Sequence, residues 1–443
     1  MRKLKIDWWI GGLIFLGIIL RIGLTPLAFH GDIITQAGWG KWIYDNGVRG
    51  FYENTIWIYG WPNHPPIVNW LYGLGFHIYE WLHTIFILGG SFIANNHLGA
   101  GHIRWFYQFV EWWGGVKYSD TPFKIGELIS MKLLPIVGDG VLAYMIYRIV
   151  LRKVDKTRAR LAAGLYLLSP FSWYESALWG QNDQLGLIFL LAAFWLLIQK
   201  KWAWIAPVMI TISVLLKPTA FIFGPLLVWV AIKDKKTFKQ VFLGGILALV
   251  GYYWLSGVFS SQNFWLFNIN LQKQIFVKGE MWTWLNTFNI WRIITGYLTD
   301  YRQLFLGINL KIWGYIMFAG INILAFKLCQ KREWWGVLKA MFLVSFGGWM
   351  TMVTMHERYL FTAVVIGLML AVENKKLMKY WVILSLIFAV NMFTGWWYPE
   401  SFEWLKNFLV WGGNTLDGPV PKILAGINLY LMIVMTKILF RKS

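Results

Sequence analysis

Asp32, in the run Phe29-His30-Gly31-Asp32-Ile33, is a carboxylate just past the first hydrophobic span of a chain with few acids. An acid at a membrane boundary is costly to desolvate, which makes it a functional-site candidate. Further along stand His64 before Pro65-Pro66, the turn Gln181-Asn182-Asp183, Lys217 before Pro218, and the turn His356-Glu357-Arg358. A carboxylate can accept a proton from an attacking sugar or lipid hydroxyl, while Lys217 and Arg358 neutralise a phosphate leaving group. Glycosyl transfer from a sugar phosphate is the chemistry such a set would serve. Lys, Arg and His suffice for a single phosphate, and the segments between spans carry no Asp-x-Asp pair to hold a divalent ion, so neither a metal nor another cofactor is expected. Each residue also has a structural alternative: Asp183 as a helix cap, Lys217 snorkelling at a short hairpin, Glu357 and Arg358 pairing with each other.

These residues need elements to hold them, and the composition says which kind. Hydrophobic residues are 58% of 443 positions and charged residues only 14%, with apolar runs from end to end. That is a polytopic all-α membrane protein. Aromatics at 19%, including 31 Trp, exceed what interfacial belts require, so some rings are expected to line a groove for lipid or sugar. The net charge of +20 comes as short basic clusters between hydrophobic runs, the pattern of loops at an anionic cytoplasmic leaflet. Nucleic acid is therefore not an expected partner, whereas membrane lipid is. The single cysteine, Cys329, forms no internal disulfide. Trp8 to Leu27 is too long for a signal peptide and has no small-residue cleavage site, and it reads as a retained anchor.

Placing Arg2/Lys3/Lys5, Arg152 to Arg160, Lys200/Lys201, Lys233 to Lys239, Lys327/Lys331/Arg332, Lys375/Lys376/Lys379 and Arg441/Lys442 on the cytoplasmic side requires an even number of crossings between neighbouring clusters. About twelve spans satisfy this: Trp8–Leu27, Leu128–Val150, Leu161–Ala177, Leu185–Ile198, Trp202–Leu216, Pro218–Ile232, Val241–Val258, Leu304–Leu328, Trp335–Thr354, Tyr359–Val372, Trp381–Trp397 and Ile423–Phe440. Both termini then lie inside. Ile67 to Leu88 is apolar enough to cross, but a crossing there breaks the parity, so it is expected to lie in the outer interface, with Asn69, Gly73, His77, Glu80 and Thr84 on one stripe.

The whole chain, residues 1–443, then reads as one transmembrane domain with a first external loop over 28–127 and a second over 259–303. Lys273, Lys278, Glu280 and Arg292 give the second loop the look of a solvated, charge-bearing segment. Asp32, His64, Gln181, Asp183, Lys217, His356 and Arg358 all fall on the external side, although none of them was used to set the topology. Since nucleotide sugars are cytoplasmic, a donor for an external site is a lipid-linked sugar phosphate. His77, Glu80 and His83 are weak metal candidates, because steps of three drift about 60° each around a helix. Lys132 and Asp139, seven positions apart, share one helix face and read as a structural or lining pair.

Asp32, the Trp39-Gly40-Lys41-Trp42-Ile43 helix, Gly47, Tyr52 and His64-Pro65-Pro66-Ile67 resemble the first external loop of the GT-C fold glycosyltransferases. In the same order, Met131 to Val150 with Asp139 resembles that family's second span, and Trp179-Gly180-Gln181-Asn182-Asp183 its Gly-Gln-x-Asp turn. Leu216-Lys217-Pro218 resembles its Phe-Lys-Gln segment, and Met355-His356-Glu357-Arg358-Tyr359 its His-Glu-Arg motif. In layout the chain is most similar to the family 57 polyprenyl-phosphate-glucose-dependent glucosyltransferases and their bacterial relatives, through about Val372. The resemblance implies an inverting hexosyltransferase with Asp32 as general base, Lys217, His356 and Arg358 at the donor phosphate, and His64, Gln181 and Asp183 at the sugar or acceptor. Its partners would be a polyprenyl-phosphate (or dolichyl-phosphate) sugar and a lipid-linked or cell-envelope glycan acceptor, on the extracytoplasmic or lumenal side. His64 stands where the family often has Tyr, and Ile33 where the protein O-mannosyltransferases have Glu, which argues against the protein-modifying branch. Compact loops and the basic bias favour a bacterial plasma membrane over the endoplasmic reticulum. The rival reading is a multi-span lipid or sugar transporter or flippase, but no inverted repeat is visible; a third is a non-catalytic subunit of a membrane complex.

Overall fold

The computed structural model describes residues 7–54, 60–95, 100–274, 281–296, 299–331, 333–411 and 417–441, without the side chains of 93–95 and 100–103. Arg2, Lys3, Lys5, Lys278, Glu280, Arg332 and Lys442 lie outside the described residues. The chain is almost wholly helical: α1 (Trp8–Leu24), α2 (Gly31–Asn46), α3 (Pro66–Asn95), α4 (Ala100–Gly114), α5 (Ile125–Leu151), α6 (Lys156–Leu168), α7 (Pro170–Trp173), α8 (Asp183–Ile198), α9 (Ala206–Leu216), α10 (Gly224–Ile232) and α11 (Lys235–Phe259). There follow α12 (Phe264–Gln272), α13 (Ile290–Ile294), α14 (Leu310–Leu328), α15 (Trp334–Thr351), α16 (Phe361–Ala371), α17 (Lys375–Trp396), α18 (Glu403–Leu409) and α19 (Pro419–Phe440).

Each of the twelve expected spans is helical over most of its length. Among the described residues six helices are long and apolar enough to cross a membrane: Trp8–Leu27, α5, α11, α14, α17 and α19. The other expected spans are shorter or less apolar, so length and composition bear out six of the twelve expected crossings. Several boundaries differ from the sequence reading, α11 and α17 for example starting earlier, at Lys235 and Lys375, and two differences have a backbone cause. Leu304–Phe305 pairs antiparallel with Ile308–Asn309 through a turn in which Leu306 and Gly307 both have positive φ, so α14 begins only at Leu310. The expected span Leu161–Ala177 breaks at Ser169-Pro170 and resumes as a π-helical turn over Tyr174–Trp179.

Helix α5 is the central strut, packing against α1, α3, α6 and α8. The two charges on it do not pair with each other. Asp139 accepts from Arg21 Nε of α1 at 2.6 Å and from the Tyr166 hydroxyl, and Arg21 also donates to the Gly17 and Leu167 carbonyls and to Ser172 Oγ. Lys132, fully buried, donates to the carbonyls of Thr25 (3.0 Å) and Ala28 (2.6 Å), the end of α1 and the approach to Asp32. These are structural bonds that fix where the first loop leaves the bundle.

The segment 28–127 builds its own apolar cluster from Phe29, Ile33, Trp39, Tyr72, Phe76 and Trp113, joined by Phe259 and Phe267. Helix α3 lies along α2 so closely that a Cβ on Gly40 would come within 2.5 Å of the Tyr72 carbonyl oxygen. Gly40→Ala should therefore destabilise by about 1–3 kcal/mol through overpacking, read as a lower thermal midpoint in detergent; an unchanged midpoint would refute the close approach. The expected polar stripe on α3 is divided. Asn69 and Gly73 face inward, Asn69 Nδ2 donating to Tyr52 Oη, while His77, Glu80 and Thr84 are exposed. Asn69 holds the Tyr52 and His64 turn, so it packs instead of facing water.

The second loop is less solvated than its charges suggest. Trp284–Leu285 pairs in parallel with Met355–His356, and Arg292 is buried against the rings of Trp284 and Phe288. The planar guanidinium stacks on aromatic faces, which lowers the cost of its burial. This loop is thereby stitched to the turn that carries Arg358.

Candidate active site

The base candidate is held by a cap. His30 precedes α2 in extended conformation, and its Nδ1 accepts the Asp32 N–H at 2.9 Å, leaving Asp32 in the first helical turn where the macrodipole favours a carboxylate. Asp32 Oδ2 accepts from Trp179 Nε1 at 3.1 Å and from Gln181 Nε2 at 2.8 Å. Among the described residues Asp32 Oδ1 keeps only the long 3.5 Å approach to His30 Nδ1, and the side chain is about a third exposed. It is the carboxylate oxygen with the fewer contacts among the described residues.

Gln181 joins this carboxylate to a cation. The π-helical turn ends at Gly180, which has φ +85°, and the Glu175 carbonyl accepts both the Gly180 and Gln181 N–H groups, turning the Gln181 side chain toward Asp32. Gln181 Oε1 accepts from Lys217 Nζ at 3.1 Å, and Lys217 Nζ lies 2.5 Å from Asp183 Oδ2. Lys217 is extended at the end of α9 because Pro218 follows it. Asp183 is the first residue of α8, with Asn182 at the cap position, so it pairs with Lys217 instead of capping.

The third element is the turn after α15. Arg358 Nη1 donates to Glu357 Oε1 at 2.9 Å, Nη2 lies 3.9 Å from Asp32 Oδ2, and the guanidinium stands 5.3 Å from the centre of the Trp179 ring. Arg358 Nε is buried and has no acceptor among the described residues, an unspent donor at the site. His356 is held by Trp349, whose indole donates to its carbonyl, and its ring packs edge-on to Tyr359. His64 Nδ1 is 3.1 Å from the Tyr72 hydroxyl, which also accepts from Asn182 at 3.3 Å.

The charges follow from these contacts. Burial would raise the Asp32 carboxyl, but Arg358, then His30 and the Trp179 indole, hold it below the usual carboxylate range. Burial pushes His64 down to about 4, with Lys217 acting in the same direction, and burial with Arg358 takes His356 far below its ordinary value. Both imidazoles are neutral near pH 7. The positive charge facing this site therefore comes from Lys217 and Arg358, while His356 offers a neutral ring.

All seven expected site residues meet at one end of the bundle. The weak metal set does not: His77 packs against Tyr44 and His83 stacks on Tyr79. Sequence reasoning missed His30 as the cap of Asp32, the Trp179 indole, Tyr72 and the buried Glu175. His30 had a visible signal, since a potential cap two residues before a first-turn acid is legible. Glu175 had only its charge within an expected span.

The comparisons bear on the middle of the chain. Residues 118–233 match the family model "Alpha-(1->6)-mannopyranosyltransferase, N-terminal domain", a GT-C type mannosyltransferase family. The GT-C resemblance is borne out. The matched segment is about a quarter of the chain and contains Gln181, Asp183 and Lys217, whereas Asp32, His64, His356 and Arg358 lie outside it. It names a mannosyltransferase family, not the glucosyltransferases of family 57, and it gives the GT-C reading of a membrane glycosyltransferase its footing while the transporter reading gains none. No curated protein matches the chain.

Proposed function

We propose that this chain transfers a hexose, with inversion, from a polyprenyl-phosphate sugar to a lipid-linked or cell-envelope glycan acceptor on the extracytoplasmic side of a membrane. The observation that carries the proposal is the meeting of Asp32 with two cations, directly with Arg358 and through Gln181 with Lys217. In the reaction Asp32 Oδ1 takes the acceptor hydroxyl proton as that oxygen forms its bond to the anomeric carbon. The bond from that carbon to phosphate oxygen breaks, and polyprenyl phosphate leaves with the electron pair. Arg358 Nε, which has no acceptor among the described residues, and Lys217 Nζ face the departing charge. His64, with Tyr72 and Asn182, offers hydrogen bonds to sugar hydroxyls, and no metal ion is required in this scheme.

The test is incubation of purified protein with mannose, glucose and other hexoses on polyprenyl phosphate, together with a lipid extract, followed by mass spectrometry. One added hexose on an extracted lipid or glycan is the expected product. Absence of product with every polyprenyl-phosphate hexose, or transfer only from a nucleotide sugar, would overturn the proposal. The pH profile is a second expectation. A base depressed by Arg358 stays ionised above its lowered pKa and is lost as pH falls through it, so the acid limb of kcat/KM should lie below the usual carboxylate range. Arg358→Gln should move that limb upward.

A further inference from the structure

Glu175 is fully buried, and neither carboxylate oxygen accepts a hydrogen bond from any described residue. An ionised carboxylate in that condition is strongly disfavoured. The charged group that bears most on it is Asp183 of α8, an acid beside an acid with no described donor between them unless one carries a proton. The groups facing it are Asp183 of α8, Lys217 at the end of α9, Arg358 of the turn after α15, and Tyr166 of α6. Its own segment is the π-helical turn Tyr174–Trp179, and its backbone carbonyl holds the N–H groups of Gly180 and Gln181.

A charge count leads to the same place. Four acids, Asp32, Glu175, Asp183 and Glu357, surround two cations, Lys217 and Arg358, and burial lowers all three nearby imidazoles, His30, His64 and His356, so that none adds a positive charge near pH 7. With all four ionised the site would be net negative and would repel a phosphate. Asp32 accepts from Trp179 and Gln181, Asp183 meets Lys217, and Glu357 accepts from Arg358. Of the four, Glu175 is the one with neither a donor nor a cation against it among the described residues.

We infer that Glu175 is a neutral positioning acid, donating its carboxyl O–H to Asp183 so that Asp183 holds Lys217 against Gln181 and the site keeps enough positive charge to accept a phosphate. The functional half of this inference rests on the glycosyl-transfer reading, whereas the protonation half does not. Glu175→Gln preserves a neutral donor of the same shape and should transfer hexose at close to the parent rate. Glu175→Leu removes the donor and should lower kcat by at least tenfold with an unchanged thermal midpoint. In the parent an alkaline loss of activity should accompany ionisation of Glu175, and Glu175→Gln should lack that limb.

Infrared difference spectroscopy of the purified, donor-free protein against Glu175→Gln gives the independent readout. A protonated-carboxyl C=O band at neutral pH, present in the parent and absent from the variant, is expected. A carboxylate band in its place overturns the inference, as does a Glu175→Gln variant as inactive as Glu175→Leu, or a Glu175→Leu variant as active as the parent. If no polyprenyl-phosphate hexose is a donor, the transfer reading falls, and the infrared band still decides the charge of Glu175.

Discussion

Asp32→Asn is expected to lower kcat by about 10²–10⁴-fold, the usual contribution of a positioned general base, with donor binding retained or tightened. The amide oxygen can replace Oδ2 and still accept from Trp179 Nε1 and Gln181 Nε2, so the local structure has reason to persist. The amide nitrogen then occupies the open position of Oδ1, where it has no lone pair to offer a hydroxyl proton. Removing the carboxylate charge also frees Arg358 from one of its two acids, which favours a phosphate. Steady-state rates and donor titration separate these effects. Turnover near the parent rate would remove Asp32 from the mechanism, and lost donor binding would make it a binding residue instead.

Arg21→Leu is expected to cost about 3–5 kcal/mol of stability, because it leaves a buried carboxylate without its cation. Arg21 and Asp139 are both almost wholly inaccessible, at 0% and 1% side-chain exposure, and their hydrogen bonds tie α1 to α5 and to the α6–α7 break. Converting the second partner should undo most of the loss. In Arg21→Leu/Asp139→Asn the amide oxygen still accepts from Tyr166 and no charge is stranded. Thermal midpoints of the parent and the two variants in one detergent test this: a double variant no more stable than the single one would show that Arg21 matters for shape alone.

The helices and the site residues were legible to different degrees, for physical reasons. Hydropathy located the apolar segments because a membrane helix must hide its backbone whatever its neighbours are. It failed at Leu304, where a two-residue turn needs positive φ at Leu306 and Gly307, a property that average hydrophobicity does not register. It also ran through Ser169-Pro170, where the backbone breaks although the residues on both sides are apolar. Asp32, Lys217 and Arg358 were visible because charges beside apolar runs are conspicuous. Their partners were less so. Lys132 and Asp139 share a helix face, yet each bonds elsewhere, since the choice depends on how α1 lies against α5. Asn69 read as surface because periodicity alone cannot say which stripe of α3 meets α2.

The short parallel pairing of Trp284–Leu285 with Met355–His356 has a consequence for how the protein comes into being. Asp32 is synthesised well before its cationic neighbour Arg358, which lies far along the chain. The loop that braces Arg358 must wait for its own partner strand for some seventy residues of synthesis. Until then Asp32 has Trp179 and Gln181 as donors and Lys217 only through Gln181, and any truncation before Arg358 leaves it without a directly facing guanidinium. The charge balance around Asp32 is in this sense completed only once the segment that carries Arg358 has been made.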